Sequence, residues 1–239
     1  MDSTAEDARD AKRARLTPSA GDVNTDRISG LDDDVLLRVL GLADDARYAA
    51  RTAALSRRWL RLWPRVPALR FASRLESKDA RGAERRAALD QYVSYVNGVL
   101  APRSAQSGCA IETLSISYTS GPAHNEEELM QASVDAAQGW IRYAFQHGVK
   151  SFILDLPSNV FERTVVLDEL PSIVRLETMR LPLGGKILRL PTTMKFASVM
   201  DLSLEEIQIA EGDVHLLACL VSPVSCPRLQ KLRMIKFFS

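Results

Sequence analysis

The chain has 239 residues, 46% of them hydrophobic and 26% charged, with a formal net charge of +1 and a pI near 7.7. That composition supports one or two domains with a real core and excludes wholesale disorder, while the near-neutral charge excludes the chain-wide positive field that phosphate-driven nucleic-acid binding needs. No run approaches the roughly 18 consecutive apolar residues of a membrane span, and three cysteines, Cys109, Cys219 and Cys226, with no signal-peptide pattern, point to free thiols in the nucleus or cytoplasm.

Residues 1–24 carry almost no large apolar side chains and read as a disordered tail, within which "KRAR" (Lys12 to Arg15) is either a nuclear-import pattern or a solvated charge cluster. Ile28, Leu31, Val35, Leu36, Val39 and Leu40 then recur at helical spacing, which predicts a helix over 33–43 with Asp32 to Asp34 at its positive end. Gly41 costs that helix about 1 kcal/mol of propensity. Asp44 or Asp45 can cap a second, alanine-rich helix, and Ser56 a third that carries Trp59, Leu60, Leu62 and Trp63 and stops before Pro64. Three short helices make too small a core to stand alone, so this segment needs a partner or a neighbouring domain.

"RVPALRFA" follows as a strand, then an amphipathic helix through Leu89, Tyr92, Val93, Val96, Val99 and Leu100 that ends before Pro102. Beyond it, apolar residues at the spacing one, four, six of a leucine-rich repeat occur five times: Ile111/Leu114/Ile116, Val149/Phe152/Leu154, Leu176/Met179/Leu181, Val199/Leu202/Leu204 and Leu229/Leu232/Met234. The segment "EEELMQASVDAAQGWIRYAFQHG" predicts a helix that Gly148 closes before the strand at Val149. Strand-then-helix units of this kind stack into a curved solenoid, no unit being stable alone. "KILRLP" at 186–191 reads as an extra short strand within a repeat.

Enzyme signatures are missing. "LGGKIL" fails the phosphate-loop pattern at Arg180 and Ile187, there is no G-x-S-x-G or H-E-x-x-H, and His215, Cys219 and Cys226 are one ligand short of a zinc site. His124, His147 and the acidic start "NEEELM" need no ligand, and Tyr118, Phe161 and Phe237 each read equally as a core residue or as an exposed loop or concave position that contacts a substrate. No catalysis, cofactor or metal is assigned.

With "DRISGLDDDVLLRVL" and "ALSRRWLRLW" both in register, the segment running on to residue 71 resembles the F-box of the large plant family of F-box and leucine-rich-repeat proteins, whose usual form begins DRISxLPDDVL and closes SVLSRRWRxLW. "IRYAFQHGVKSFILDL" and "CPRLQKLRM" are similar to that family's repeats. Asp32 departs from the family's proline, which loosens entry into the first helix but offers a capping carboxylate.

The resemblance implies an α/β architecture of three parts: a tail at 1–24, a three-helix F-box at 25–64, and a partial leucine-rich-repeat solenoid at 65–239 with a parallel sheet on its concave face. It further implies a substrate-recruiting adaptor of an SCF-type E3 ubiquitin ligase, whose helices bind a Skp-type adaptor, and through it cullin and RING subunits, while the repeats hold a protein target. The expected adaptor-binding residues are Ile28, Leu31, Val35, Leu36, Val39, Leu40, Leu55, Ser56, Arg58, Trp59 and Trp63, with Arg57, Arg58 and Arg61 rimming the patch. The other placement for the two tryptophans is an internal core against the repeats. Alternatives to a ligase subunit are a truncated or degenerate family member, since the chain stops just after a repeat strand with Phe237 and Phe238 at an open end, and a repeat scaffold that binds a partner independently of ubiquitination.

Overall fold

A computed structural model describes residues 28, 30–75, 82–105, 110–120, 127–158, 163–167, 175–190, 195–210 and 212–236. The expectations for the tail at 1–24, Cys109, His124, Phe161, Phe237 and Phe238 lie outside them. Contacts divide the chain into Met1–Asp32 and Asp33–Ser239. In the first unit Leu31 N–H donates to Ile28 C=O at 3.1 Å, and both side chains are exposed.

The second unit is α/β. Helices α1 (Asp33–Gly41), α2 (Ala46–Arg51) and α3 (Arg57–Leu62) come first, then strand β1 (Ala68–Leu75), helix α4 (Gly82–Ser104), β2 (Thr113–Ser120), α5 (Glu127–Gln146), β3 (Ser151–Asp155), β4 (Thr164–Val166), β5 (Thr178–Arg189), β6 (Asp201–Ile209), α6 (Val214–Leu220) and β7 (Lys231–Ile235). All strand pairs are parallel in one seven-stranded sheet ordered β1-β2-β3-β5-β6-β7, with β4 paired beside β5.

One backbone device repeats along this sheet. The carbonyl just before each strand accepts two N–H groups from the start of the next: Pro67 from Glu112 and Thr113, Glu112 from Lys150 and Ser151, Lys150 from Glu177 and Thr178, Glu177 from Met200 and Asp201, and Met200 from Gln230 and Lys231, all within 2.7–3.1 Å. A one-residue slip would turn every inward side chain outward. The ladder therefore holds Leu69, Leu114, Phe152, Met179, Leu202 and Leu232 side by side. The spacing of the five sequence triplets thus appears as one column, and Val66, Leu69 and Phe71 form an earlier unit with the same spacing. All three are at most 1% exposed.

The inward face packs with α4 and α5 in a continuous core. Tyr92 of α4 donates to the carbonyls of Phe71 (3.1 Å) and Ser117 (3.0 Å), stacks on Tyr118 and meets Trp140 of α5 edge-on. Tyr118 is accordingly a core residue. Trp140 Nε1 donates to Asn97 at 3.0 Å, joining the two helices. Gly148, at φ +67°, ends the α5 segment as its spacing predicts.

Three local expectations change. Helix α4 continues through Pro102 to Ser104, and its last turn is anchored from outside: Tyr143 Oη donates to the Leu100 carbonyl, and the buried Arg103 guanidinium donates to Val66 and Trp63 C=O, both at 2.7 Å. Pro64 sits inside a 3-10 turn, Trp63–Arg65, that extends α3. "KILRLP" is no separate strand: its first four residues are the second half of β5, displaced by a bulge between Pro182 and Lys186, and β4 pairs with this half.

The bulge is held by a buried lysine. Lys186 is 0% exposed, and its ammonium donates to the carbonyls of Pro157 (2.8 Å) and Leu183 (3.1 Å). Gly184 has φ +59°, and a Cβ there would lie 2.4 Å from the Pro157 carbonyl oxygen. Gly184→Ala is expected to cost about 2 kcal/mol or more in urea denaturation, from strain and backbone overlap together.

Burial pushes the Lys186 ammonium down to about 8. The unfolded chain keeps that proton to about pH 10.4, so between the two values the unfolded state binds more protons and stability rises with pH. Above about pH 10 the buried hydroxyls of Tyr92 and Tyr95, raised chiefly by burial, reverse the trend. Denaturation of the wild type should therefore show a gain in stability from about pH 8 to 10 that Lys186→Met lacks.

A helical cap and its candidate docking surface

Helices α1 to α3 close the β1 end of the sheet. Asp45 caps α2 by accepting from Arg47 N–H at 2.7 Å, while its second oxygen accepts from Ala72 N–H of β1 at 3.1 Å and Tyr95 Oη approaches within 3.4 Å. Arg70 of β1 donates to Gly41 C=O at the end of α1. A Cβ at Gly41 would meet Ala68 Cβ at 3.4 Å, an ordinary contact, so packing on the sheet does not itself require glycine there.

Inside the cap, Leu36, Leu37 and Leu40 of α1 are buried with Leu62 of α3, Val66 and Leu69 in the core shared with the sheet. Leu36 and Leu40, expected on the adaptor-binding patch, are 1% and 5% exposed and unavailable to a partner. A helix a few turns long has one face to bury, and the sheet takes it. The tryptophans are half-buried and packed on the core. Trp63 also lies under the Arg103 guanidinium, 4.9 Å from its ring centroid. The indoles thus belong mainly to the internal seam between cap and sheet.

What the cap leaves outside is aliphatic. Val35 and Val39 lie one turn apart on α1, Leu42 continues their stripe, and Leu55 and Leu60 flank the start of α3. These five are 43%, 53%, 75%, 69% and 57% exposed. Ser56 caps α3, its hydroxyl accepting from Trp59 N–H at 3.5 Å. Arg58 does not rim the surface freely: its guanidinium lies 2.8 Å from Asp33, which also draws Arg65 to 3.8 Å, tying α3 back to α1. Arg57 and Arg61 are exposed. Leu42, Leu60 and Asp33 are not among the contacts expected from the sequence, although Leu60 and Asp33 fall on the predicted helices and the seven-residue step from Val35 to Leu42 carries a signal.

No metal-type site accompanies this surface. Among the described residues no three histidine, cysteine or carboxylate side chains converge as ligands, and Cys219 (exposed) and Cys226 (buried) are free thiols. No helix among them is long and apolar enough to cross a membrane.

A parallel α/β sheet of repeated units with a helical cap defines the class of molecule, and the comparisons refine it. The chain is 25% identical over 217 residues, 90% of its length, to an FBD-associated F-box protein of Arabidopsis thaliana. Two further Arabidopsis thaliana proteins of the same description match at 52% identity over 44 residues and 35% over 63 residues, 18% and 26% of this chain. The aligned part covers 45% of the first relative and 11% and 14% of the others. No family model matches the chain, and no solved structure matches it. The chain is thus related to the plant F-box proteins.

Asp45→Ala removes a helix cap and the acceptor for a β1 N–H in one change. A loss of about 2 kcal/mol in urea denaturation is expected.

Proposed function

We propose that this chain is the substrate-recruiting subunit of an SCF-type ubiquitin ligase, its cap an F-box that binds a Skp-type adaptor and its strand units leucine-rich repeats that hold a protein target. The observation that carries the reading is the division of the cap into two faces. Leu36, Leu40 and Leu62 are sealed in the core, whereas Val35, Val39, Leu42, Leu55 and Leu60 stay in water on a segment that core already holds. Apolar side chains fixed on rigid helices and left uncovered are what a partner interface needs.

On this reading the adaptor contacts are Val35, Val39, Leu42, Leu55, Ser56 and Leu60, with the exposed edges of Trp59 and Trp63. Arg57 and Arg61 steer an acidic adaptor from the rim. Arg58 acts through Asp33 by fixing α3 against α1. The names of the Arabidopsis relatives agree with an F-box. The role is non-enzymatic, and the free thiols suit the nucleus or cytoplasm.

Surface plasmon resonance with a purified Skp-type adaptor tests it. Wild type should bind, and Val39→Glu and Leu60→Glu should each weaken binding more than about tenfold by placing an unpaired carboxylate in the interface. Both variants should keep wild-type circular dichroism, while Leu36→Ala should lose about 2–5 kcal/mol of stability instead. A folded wild type that does not bind, or full binding by both glutamate variants, overturns the proposal.

A further inference from the structure

Where α2 meets the edge of β1 the chain leaves a cavity of about 370 Å³, lined by Asp44, Asp45, Arg47, Tyr48, Arg51 and Ala72. None of the exposed aliphatic side chains of the cap lines it. One of its two acids is already committed. Asp45 is 8% exposed, and its oxygens accept from Arg47 N–H and from Ala72 N–H, with Tyr95 Oη beside the first. Asp44 stays exposed.

The basic side chains are held in place but not spent. Arg47 and Arg51 stand four residues apart on α2, and so share one face of the helix. The Arg47 guanidinium lies over the Tyr95 ring, 4.7 Å from its centroid, and that of Arg51 over the Tyr48 ring at 5.7 Å. Such stacking orients the plane of a guanidinium and leaves its N–H edge for an anion. Neither arginine forms an ion pair among the described residues. Arg58, Arg70 and Arg103 differ, being taken up by Asp33, by Gly41 C=O and by the carbonyls of Val66 and Trp63.

Two guanidinium forks on one cavity set the chemistry of what enters. A carboxylate has two oxygens and is satisfied by one fork, whereas a phosphate group brings three oxygens and a second negative charge, enough for both. The volume lies in the range of small-molecule sites, so an organic body has room beside the phosphate. Asp44 and the Tyr48 hydroxyl line the same space as acceptors, which suits hydroxyl groups on that body and opposes a second anion.

We propose that this cavity binds a small hydroxylated phosphate monoester, its phosphate bridged by Arg47 and Arg51 and its hydroxyls set against Tyr48 and Asp44. Bound there, the ligand spans α2 and β1 and braces the cap on the sheet. The site requires neither adaptor nor target, and stands whether or not the cap is an F-box.

Glucose 6-phosphate and glycerol 3-phosphate are the probes, titrated into the full chain by isothermal calorimetry at about 0.15 M salt, where diffuse surface charge is screened. At least one should bind saturably and about tenfold or more tighter than inorganic phosphate, and glucose and glycerol should not bind. Arg47→Gln and Arg51→Gln should each weaken that binding about tenfold or more, while Arg189→Gln, at an exposed arginine of β5, should leave it unchanged. Both cap variants should keep wild-type circular dichroism, because glutamine is a good helix former and Asp45 caps α2 through a main-chain N–H. The bound monoester should raise the melting temperature of the wild type but not of Arg51→Gln. A wild type that binds neither monoester overturns the proposal, as does inorganic phosphate binding equally well, which marks a bare anion contact. So does full binding by both folded cap variants, or an equal loss in Arg189→Gln.

Discussion

The parallel ladder of carbonyls, each accepting two N–H groups from the following unit, is the constraint on which the rest of the molecule depends. It fixes register at the entry to every strand, and register decides which alternate residues face the core. Neither the column from Leu69 to Leu232 nor the outward rows of serine, threonine and charge survives a slip of one residue. The ladder also makes each unit rely on a neighbour on either side, so the ends of the stack become its chemically distinct places.

The cap answers this problem at one end. Asp45 joins a helix N-terminus, a strand N–H and Tyr95, and Arg103 joins α4 to the Trp63 turn. Because these contacts are polar and buried or half-buried, they fix the angle of the helices on the sheet more sharply than apolar contact alone. The outer aliphatic stripe is thereby held in place without contributing to the core. The same three helices close a sheet edge with one face and leave Val35, Val39, Leu42, Leu55 and Leu60 exposed on the other.

Much of this was legible in the chain. The triplets at 111, 149, 176, 199 and 229 mark the inward columns because a period of two in a strand is unambiguous once a face is buried. Capping by Ser56, and by Asp44 or Asp45, follows from residue type alone, and the structure selects Asp45. Other features were not legible. Val66, Leu69 and Phe71 repeat the spacing but run straight on from the helices. Pro102 stands inside α4, whose last turn is held from outside by Tyr143 on the Leu100 carbonyl and by Arg103 on the carbonyls of Val66 and Trp63, pairings 37 to 43 positions apart that no local pattern reveals.

The sequence by itself determined which residues alternate, where helices begin, and that a helical segment too small for its own apolar content precedes a set of strand units. Only the tertiary structure decided which side of that segment is spent on the sheet. Leu36 and Val35 are adjacent and both apolar, and nothing local distinguishes them. The difference arises because a helix on a sheet edge buries one face, and the identity of that face is set by Arg70 on the Gly41 carbonyl, Asp45 on Ala72 and the Arg103 clamp on Trp63, contacts between residues far apart in the chain.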